Sequence, residues 1–307
     1  MTIKGATASA CRKCLVQSVD LDIMIRLTQE ILPGYDLRRQ LGVREGIPVS
    51  SQTAAQRIIQ DMDDTGRFID FAEFLIKTDS SGYIGRQFPL RGLDDLINSL
   101  INEGYSYDKA SGQFFENQRE RVSPNWGRLK EGDERQMTVL RLDIAGNSVL
   151  VKNNPRDRIS AAYEALRVIV TKAVTSRLGR VWSWEGDGAL AVFCFGPKEK
   201  AVVYCGMEIL QEVWFYNRME NPLSSPLKLR IGAHTGKIRY SDNPMERLKN
   251  DAVKTAVKLE ETVPNDSLGV SYNLYITMDH TTLSLFGPEK TWNGSKYRIY
   301  QTVLEQL

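Results

Sequence analysis

No stretch of apolar residues in the 307-residue chain is long enough to cross a bilayer, so a membrane-spanning protein is not expected. The opening residues, MTIKGATASACRK, lack the apolar segment of a secretory signal. Cysteine is scarce. Four in a chain of this length do not frame a disulfide scaffold, and a reducing cytoplasm is the expected compartment. Neither sign of charge is in excess: 40 Lys and Arg face 38 Asp and Glu, for a net of +2. So weak a field argues against a nucleic-acid or membrane-surface binder. Internal repeats and low-complexity tracts are lacking too. What is present, 42% hydrophobic and 25% charged residues, suits a soluble globular protein of one large or two ordinary domains.

The two halves differ in rhythm. Residues 1–116 are expected to be mainly helical. Ile23, Ile25, Leu27, Ile31 and Leu32 fall at helical spacing before Pro33-Gly34. Ser50 or Ser51 caps a second helix carrying Ala54, Ile58, Ile59 and Met62, and 68–76 and 96–101 suggest two more. The stretch 104-GYSYDKASGQFFE-116 alternates like a short hairpin. This half reads as a winged-helix-like module or an ordinary helical regulatory domain. Residues 117–136, dense in charge, Pro and Gly, read as a linker.

From 137 to 307 the pattern is strand, helix, hairpin, helix, strand, helix, strand. It implies an α+β fold with helices packed on a mainly antiparallel sheet. A buried strand, 137-MTVLRLDIAG-146, is followed by a helix at 156–178. Then come a hairpin, 180–185 and 189–195 around Gly-Asp-Gly, and a helix opened by Pro197. A strand pair around His234–Gly236 is expected in 227–240, a helix over 250–262, and late strands near 272–278 and 296–304.

Two acids interrupt otherwise apolar strands. Asp143 ends one, and Asp187 sits at the hairpin tip that could pair beside it. Two carboxylates brought together repel unless one is protonated or a cation lies between them. Hard oxygen ligands suit Mg²⁺ or Mn²⁺, and a pair of such ions suits phosphoryl transfer. Gly146 would let backbone N–H groups approach phosphate oxygens. An Asp beside Gly is also ordinary turn chemistry, and that reading stays open here.

Four blocks in order resemble the catalytic domain of class III nucleotide cyclases: 140-LRLDIAGNS-148, 184-WEGDGALAVF-193, 229-LRIGAHTGKI-238 and 251-DAVKTAVKLE-260. The resemblance covers roughly 135–307. It implies a ferredoxin-like α+β core that works as a head-to-tail homodimer with shared sites, cyclising a nucleoside triphosphate with two divalent ions, Mg²⁺ or Mn²⁺, per site. It further implies that Asp143, Ile144 and Asp187 hold the ions, and that Ala145, Gly146, Asn147 and Ser148 surround the phosphates. Lys254 and Lys258 stand where the family has the Asn and Arg that support the transition state.

Departures from the family pattern bear on the base. Asn147-Ser148 replaces the usual Phe-Thr. Ser183 stands where adenylate cyclases have the adenine-reading Lys, and Arg247 aligns with its partner Asp. The adenine amino group needs an acceptor, which Arg lacks; Arg favours carbonyl edges of pyrimidines or guanine. Lys258 still neutralises phosphate charge, as a point charge without a fork. The WEGDG hairpin also resembles the pyrimidine cyclases of bacterial antiphage (Pycsar) systems, which make cyclic UMP or cyclic CMP to activate a separate effector protein. An adenylate or guanylate cyclase, a catalytically inactive nucleotide sensor with a cyclase fold, and an unrelated α+β binding module are the alternatives.

Other conspicuous residues have plainer readings. Cys11 and Cys14 have zinc-ligand spacing but no second pair and no nearby His, so a surface or partly buried thiol pair is expected. His234 reads as structural. Trp182 and Trp184 alternate with Ser183 and are expected to pack on one face. Glu185 supports the metal site without ligating it. Lys290 and Lys296 could reach a phosphate, but read as solvated lysines.

Overall fold

A computed structural model describes residues 3–44, 46–109, 111–118 and 122–301. The chain divides into two compact units, one up to Arg121 and one from Val122.

In the first unit six helices precede a hairpin: α1 (Gly5–Ser18), α2 (Leu21–Ile31), α3 (Leu37–Leu41), α4 (Ser51–Asp64), α5 (Phe68–Ser81), α6 (Leu93–Ile101), β1 (Tyr105–Asp108) and β2 (Gln113–Glu116). The caps are local side chains: Asp20 accepts from the Ile23 N–H at 2.9 Å, and Ser50 from the Thr53 N–H at 3.1 Å. α1 packs against α4 and α6. Its buried positions are Thr7, Cys11, Cys14 and Leu15, spaced for one helix face but mostly small, so hydrophobic periodicity does not mark it. Both cysteines are fully buried, which corrects the expectation of a surface or partly buried pair. Burial pushes the Cys14 thiol up to about 12 and Cys11 higher still. A metal binds the thiolate, which this apolar site disfavours, so the pair is part of the core.

The second unit holds β3 (Glu134–Ile144), α7 (Asn147–Asn153), α8 (Arg156–Thr175), β4 (Arg180–Glu185), β5 (Gly188–Phe193), α9 (Lys198–Met219), β6 (Leu229–Arg239), α10 (Pro244–Leu248), α11 (Asp251–Thr262), β7 (Ser267–Ser271), α12 (Tyr272–Tyr275), α13 (His280–Leu283), β8 (Lys290–Trp292) and β9 (Ser295–Gln301). Among the described residues the strands form one sheet in the order β4-β5-β3-β6-β7-β9-β8. Its pairs are antiparallel except β6 with β7. This is a mixed α+β unit preceded by a mainly helical one.

Strand alternation sorts the sheet into two faces. Leu140, Leu142 and Ile144 of β3, Ala189, Ala191 and Phe193 of β5, and Ile231 and Ala233 of β6 pack with α8 and α9 in the main core. The opposite face carries Val139, Arg141 and Asp143, paired in register with His234, Gly232 and Arg230. α11 lies on that face. A Cβ at Gly232 would meet the Ala256 carbonyl at 2.3 Å and the Glu260 nitrogen at 2.5 Å, so only glycine permits this approach.

Several expectations are corrected. Residues 229–239 form one unbroken strand instead of a pair, because β3 matches β6 from Glu134↔Arg239 to Ile144↔Leu229 and leaves His234–Gly236 no place to turn. The strand expected near 272–278 lies just upstream as β7, and Tyr272–Tyr275 is a short helix. Five buried residues, Ser267–Ser271, make too short a run to stand out. The strand expected at 296–304 is β9, and residues 302–304 lie outside the described residues. Trp182 and Trp184 do not share a face. A register shift between Val181 and Ser183 makes Trp182 the extra residue of a bulge. Trp184 joins Val181 on the α8–α9 side, while Trp182 packs edge-on against Trp126 and Tyr240.

Residues 119–121 of the segment 117–136 lie outside the described residues. The rest of it from 122 onward belongs to the second unit. Trp126 is fully buried and donates from Nε1 to the Leu178 carbonyl at 2.6 Å. The carbonyls of Ser123 and Pro124 accept from Arg180 Nε and Trp182 Nε1 at 2.8 and 3.0 Å, tying the segment to β4. No helix of the described residues is long and apolar enough to cross a membrane.

Candidate active site

Asp143 is the penultimate residue of β3 and points to the face away from the main core, where its cross-strand partner is Arg230. Arg230 Nη2 donates to Asp143 Oδ2 at 3.0 Å. Asp187 occupies the two-residue turn between β4 and β5. Gly186 ahead of it has φ +63°, which a tight hairpin loop asks of glycine. Because β5 pairs with β3 antiparallel, the turn falls at the Asp143 end of β3.

Tyr163 of α8 shows that the two acids share one neighbourhood. Burial raises its phenol pKa, the hydrogen bond to Asn147 lowers it, and the Asp187 and Asp143 carboxylates each raise it. Tyr163 donates to Asn147 Oδ1, so α8 is tied to the first residue of α7 beside both acids. Between β3 and α7 the chain turns at Gly146, which is left-handed at φ +70° with open space where a Cβ would stand. The first amides of α7, at Asn147 and Ser148, lie just after that turn.

A chain of charged groups runs from this point. Arg230 also places Nε 3.0 Å from Glu260 Oε1 of α11, within ion-pair range but without the alignment of a hydrogen bond. Glu260 is only 3% exposed. Burial pushes its carboxyl up to about 7; Arg230 and Arg141 oppose the rise and Asp143 adds to it. Arg141, on the same face of β3, pairs through Nη1 with Glu185 Oε2 at 3.0 Å. Glu185 thus serves Arg141, and Ser183 Oγ reaches Glu185 Oε1 at 3.3 Å.

Lys254 and Lys258 are exposed on α11 and line a cavity of about 360 Å³ together with Arg141, Glu185, Leu190 and Val253. Neither Asp143 nor Asp187 lines it. Lys254 Nζ rests on Asp251 at 2.9 Å. Arg247 of α10 is 5% exposed, and its guanidinium lies 5.2 Å from the Trp182 ring and 5.7 Å from Tyr240. Its Nε and Nη1 are buried with no hydrogen-bond partner. The fold thus brings Asp143 and Asp187 together beside Ala145–Ser148. It sets Lys254 and Lys258 around a cavity that neither aspartate lines, with Ser183 bonded to one of that cavity's residues and Arg247 among aromatics.

His234 hydrogen-bonds through Nδ1 to Ser271 Oγ at 2.8 Å, and burial lowers its pKa to about 4, so it is neutral near pH 7. Lys296 pairs with Glu289 at 2.8 Å.

Sequence reasoning missed Arg141, Arg230, Glu260 and Tyr163. The arginines did leave a signal: each interrupts an apolar strand, and Arg141 stands two residues before Asp143 on the same face. Glu260 sits four residues after Ala256, on the buried stripe of α11. Tyr163 left none, since an aromatic at helical spacing reads as core.

Among the described residues no group of three or more His, Cys, Asp or Glu could hold a metal ion. The available donor set is the Asp143–Asp187 pair. Its half-buried carboxylate oxygens suit a small hard divalent cation such as Mg²⁺ or Mn²⁺.

No protein-family model matches this sequence, and no curated protein matches it. Among solved structures, the chain is similar to the monomeric guanylyl cyclase domain of the RhoGC fusion protein from the aquatic fungus Blastocladiella emersonii. There the TM-score is 0.46 at 16% identity, over 55% of this chain and 98% of that one. The adenylate/guanylate cyclase/hydrolase from Silicibacter pomeroyi matches with TM-score 0.46 at 22% identity, over 56% and 99% of the two chains. The catalytic core of a rhodopsin-guanylyl cyclase with converted specificity, in complex with ATPalphaS, matches with TM-score 0.49 at 17% identity, over 56% and 99%.

Proposed function

We propose that the second unit is a metal-dependent nucleotide cyclase that converts a nucleoside triphosphate to a 3′,5′-cyclic nucleotide and pyrophosphate. One observation carries this reading: Asp143 near the end of β3 and Asp187 in the β4–β5 turn are brought by strand pairing to the same end of the sheet, beside the glycine turn into α7. The four sequence blocks that resemble class III cyclases supply the same two aspartates.

In this reading Asp143, Ile144 and Asp187 would hold two Mg²⁺ or Mn²⁺ ions, whose charge would favour ionisation of the ribose 3′-hydroxyl and offset the negative charge of the triphosphate. Gly146, Asn147 and Ser148 offer amides and a hydroxyl to phosphate oxygens, with Tyr163 fixing Asn147, whereas the Ala145 amide already donates to the Lys228 carbonyl at 2.8 Å. Lys254 and Lys258 neutralise charge growing on the α-phosphate. That the two lysines line a cavity without the aspartates favours a site completed by a second copy, a head-to-tail homodimer. A reaction that consumes nucleoside triphosphates belongs in the cytoplasm.

For the base, we favour a pyrimidine, with cyclic UMP or cyclic CMP as product and a separate effector protein as its target in antiphage signalling. Arg247 keeps two buried donors without acceptors, and a base carbonyl is an acceptor. Ser183 can donate or accept. Adenylate or guanylate cyclisation is the alternative within this class. A second reading, a nucleotide sensor without turnover, is favoured by the lysines where the family has Asn and Arg.

The test is incubation of the protein with Mn²⁺ and each of ATP, GTP, CTP and UTP in turn, with products resolved by chromatography. A cyclic pyrimidine is expected. Asp187→Ala is expected to lower turnover by at least about a hundredfold, on the scale of losing one electrostatic anchor of a transition state. Unchanged turnover would remove the mechanism. Bound nucleotide without pyrophosphate would favour the sensor.

A further inference from the structure

We propose that Glu260 is a positioning residue for the aspartate pair: it takes up Arg230 when Asp143 turns from the guanidinium to a divalent cation. The inference rests on reading Asp143 and Asp187 as metal ligands. Arg230 Nη2 already bonds the Asp143 Oδ2 that a cation would use, at 3.0 Å. An arriving cation both competes for that oxygen and repels the guanidinium, so Arg230 needs another anion to turn to.

Glu260 is placed for that exchange. Its Oε1 is buried without a hydrogen-bond partner, and so is the Arg230 Nε that faces it at 3.0 Å. An acceptor and a donor lie side by side as an ion pair whose geometry does not make a hydrogen bond. Rotation of the guanidinium away from Asp143 would make the bond, satisfying two buried groups that otherwise carry a desolvation cost. Arg141, the other cation near Glu260, is occupied by Glu185. The backbone approach of α11 over Gly232 fixes Glu260 over β6, so the carboxylate stays within reach in both states.

Binding of Mn²⁺ to the full, nucleotide-free chain tests this, read by the electron paramagnetic resonance signal of free Mn²⁺. Asp143→Asn and Asp187→Asn set the baseline and are each expected to lose the site. Glu260→Gln keeps the shape and removes the charge. It is expected to weaken Mn²⁺ about tenfold, the low end for a residue supporting a metal ligand. The double variant Arg230→Gln with Glu260→Gln removes the competitor as well and is expected to recover most of the affinity. That recovery is a result a merely structural carboxylate would not give, and the double variant remains informative if Glu260→Gln alone folds poorly.

Wild-type affinity in Glu260→Gln, or a double variant no tighter than the single one, would overturn the role of Glu260 while leaving the metal pair intact. Mn²⁺ binding that survives both aspartate changes would instead overturn the metal-pair reading, and this inference with it.

Discussion

His234 shows how a conspicuous residue can be structural. It is 9% exposed, bonded to Ser271, and held neutral by burial, with its pKa lowered to about 4 from 6.5. The unfolded chain therefore binds a proton on this ring between pH 6.5 and 4 that the folded chain refuses. The stabilisation is present above pH 6.5 and is lost as pH falls toward 4. About 2 kcal/mol is expected to disappear over that window, most of what a shift of this size implies. Urea unfolding at pH 7, 5.5 and 4 would measure it, and His234→Gln should flatten the slope. At this scale legibility depended on contrast. Asp143 stood out as an acid in an apolar strand and Asp187 as one at a Gly-flanked hairpin tip, whereas Glu260 looked like one more charge on a charged helix, set apart only by its place on the helix's buried stripe.

Elements were legible where their neighbours imposed nothing unusual. Ser50 and the apolar spacing of 54–62 mark α4, and an unbroken short apolar run marks β5. The failures have a common cause, a partner supplying what the local sequence does not announce. β6 runs straight through a His-Thr-Gly that reads as a turn because β3 pairs with all of it. α1 hides because small residues suffice against α4 and α6. Trp182 leaves its expected face because a bulge adds a residue to β4. The seat of α11 gives a direct prediction. Gly232→Ala would set a Cβ against the Ala256 carbonyl. It is expected to destabilise the unit by about 3 kcal/mol, at the upper end of ordinary overpacking. Ala at Gly146, where nothing crowds the Cβ, would suffer only the left-handed backbone penalty of about 1 kcal/mol. Thermal or urea melts of the two variants should rank them in that order.

For the whole molecule, the order of strands and helices was enough to indicate a helical unit followed by an α+β unit. Segment 117–136 was harder, since Pro, Gly and charge describe a linker and a strap fixed to β4 equally well. Trp126 decides between them, being fully buried and bonded to Leu178. A fragment beginning at 122 is therefore expected to fold cooperatively. One beginning at 137 would lack the Trp126 bond to Leu178, the Ser123 and Pro124 carbonyls that Arg180 and Trp182 use, and the first three residues of β3, Glu134, Arg135 and Gln136, which pair with Arg239, Ile238 and Lys237. Circular dichroism melts of the two fragments would decide the matter, and equal transitions would show that the strap is dispensable.

The strap also gives the protein an optical property. Trp126 and Trp182 lie with ring centroids 6.4 Å apart, and the Arg180 and Arg247 guanidiniums lie 5.4 and 5.2 Å from their respective rings. An indole's emission responds to the charge and polarity beside it. Any occupant that draws Arg247 off Trp182 would change the chain's ultraviolet fluorescence, so events at that arginine can be followed in real time without a label.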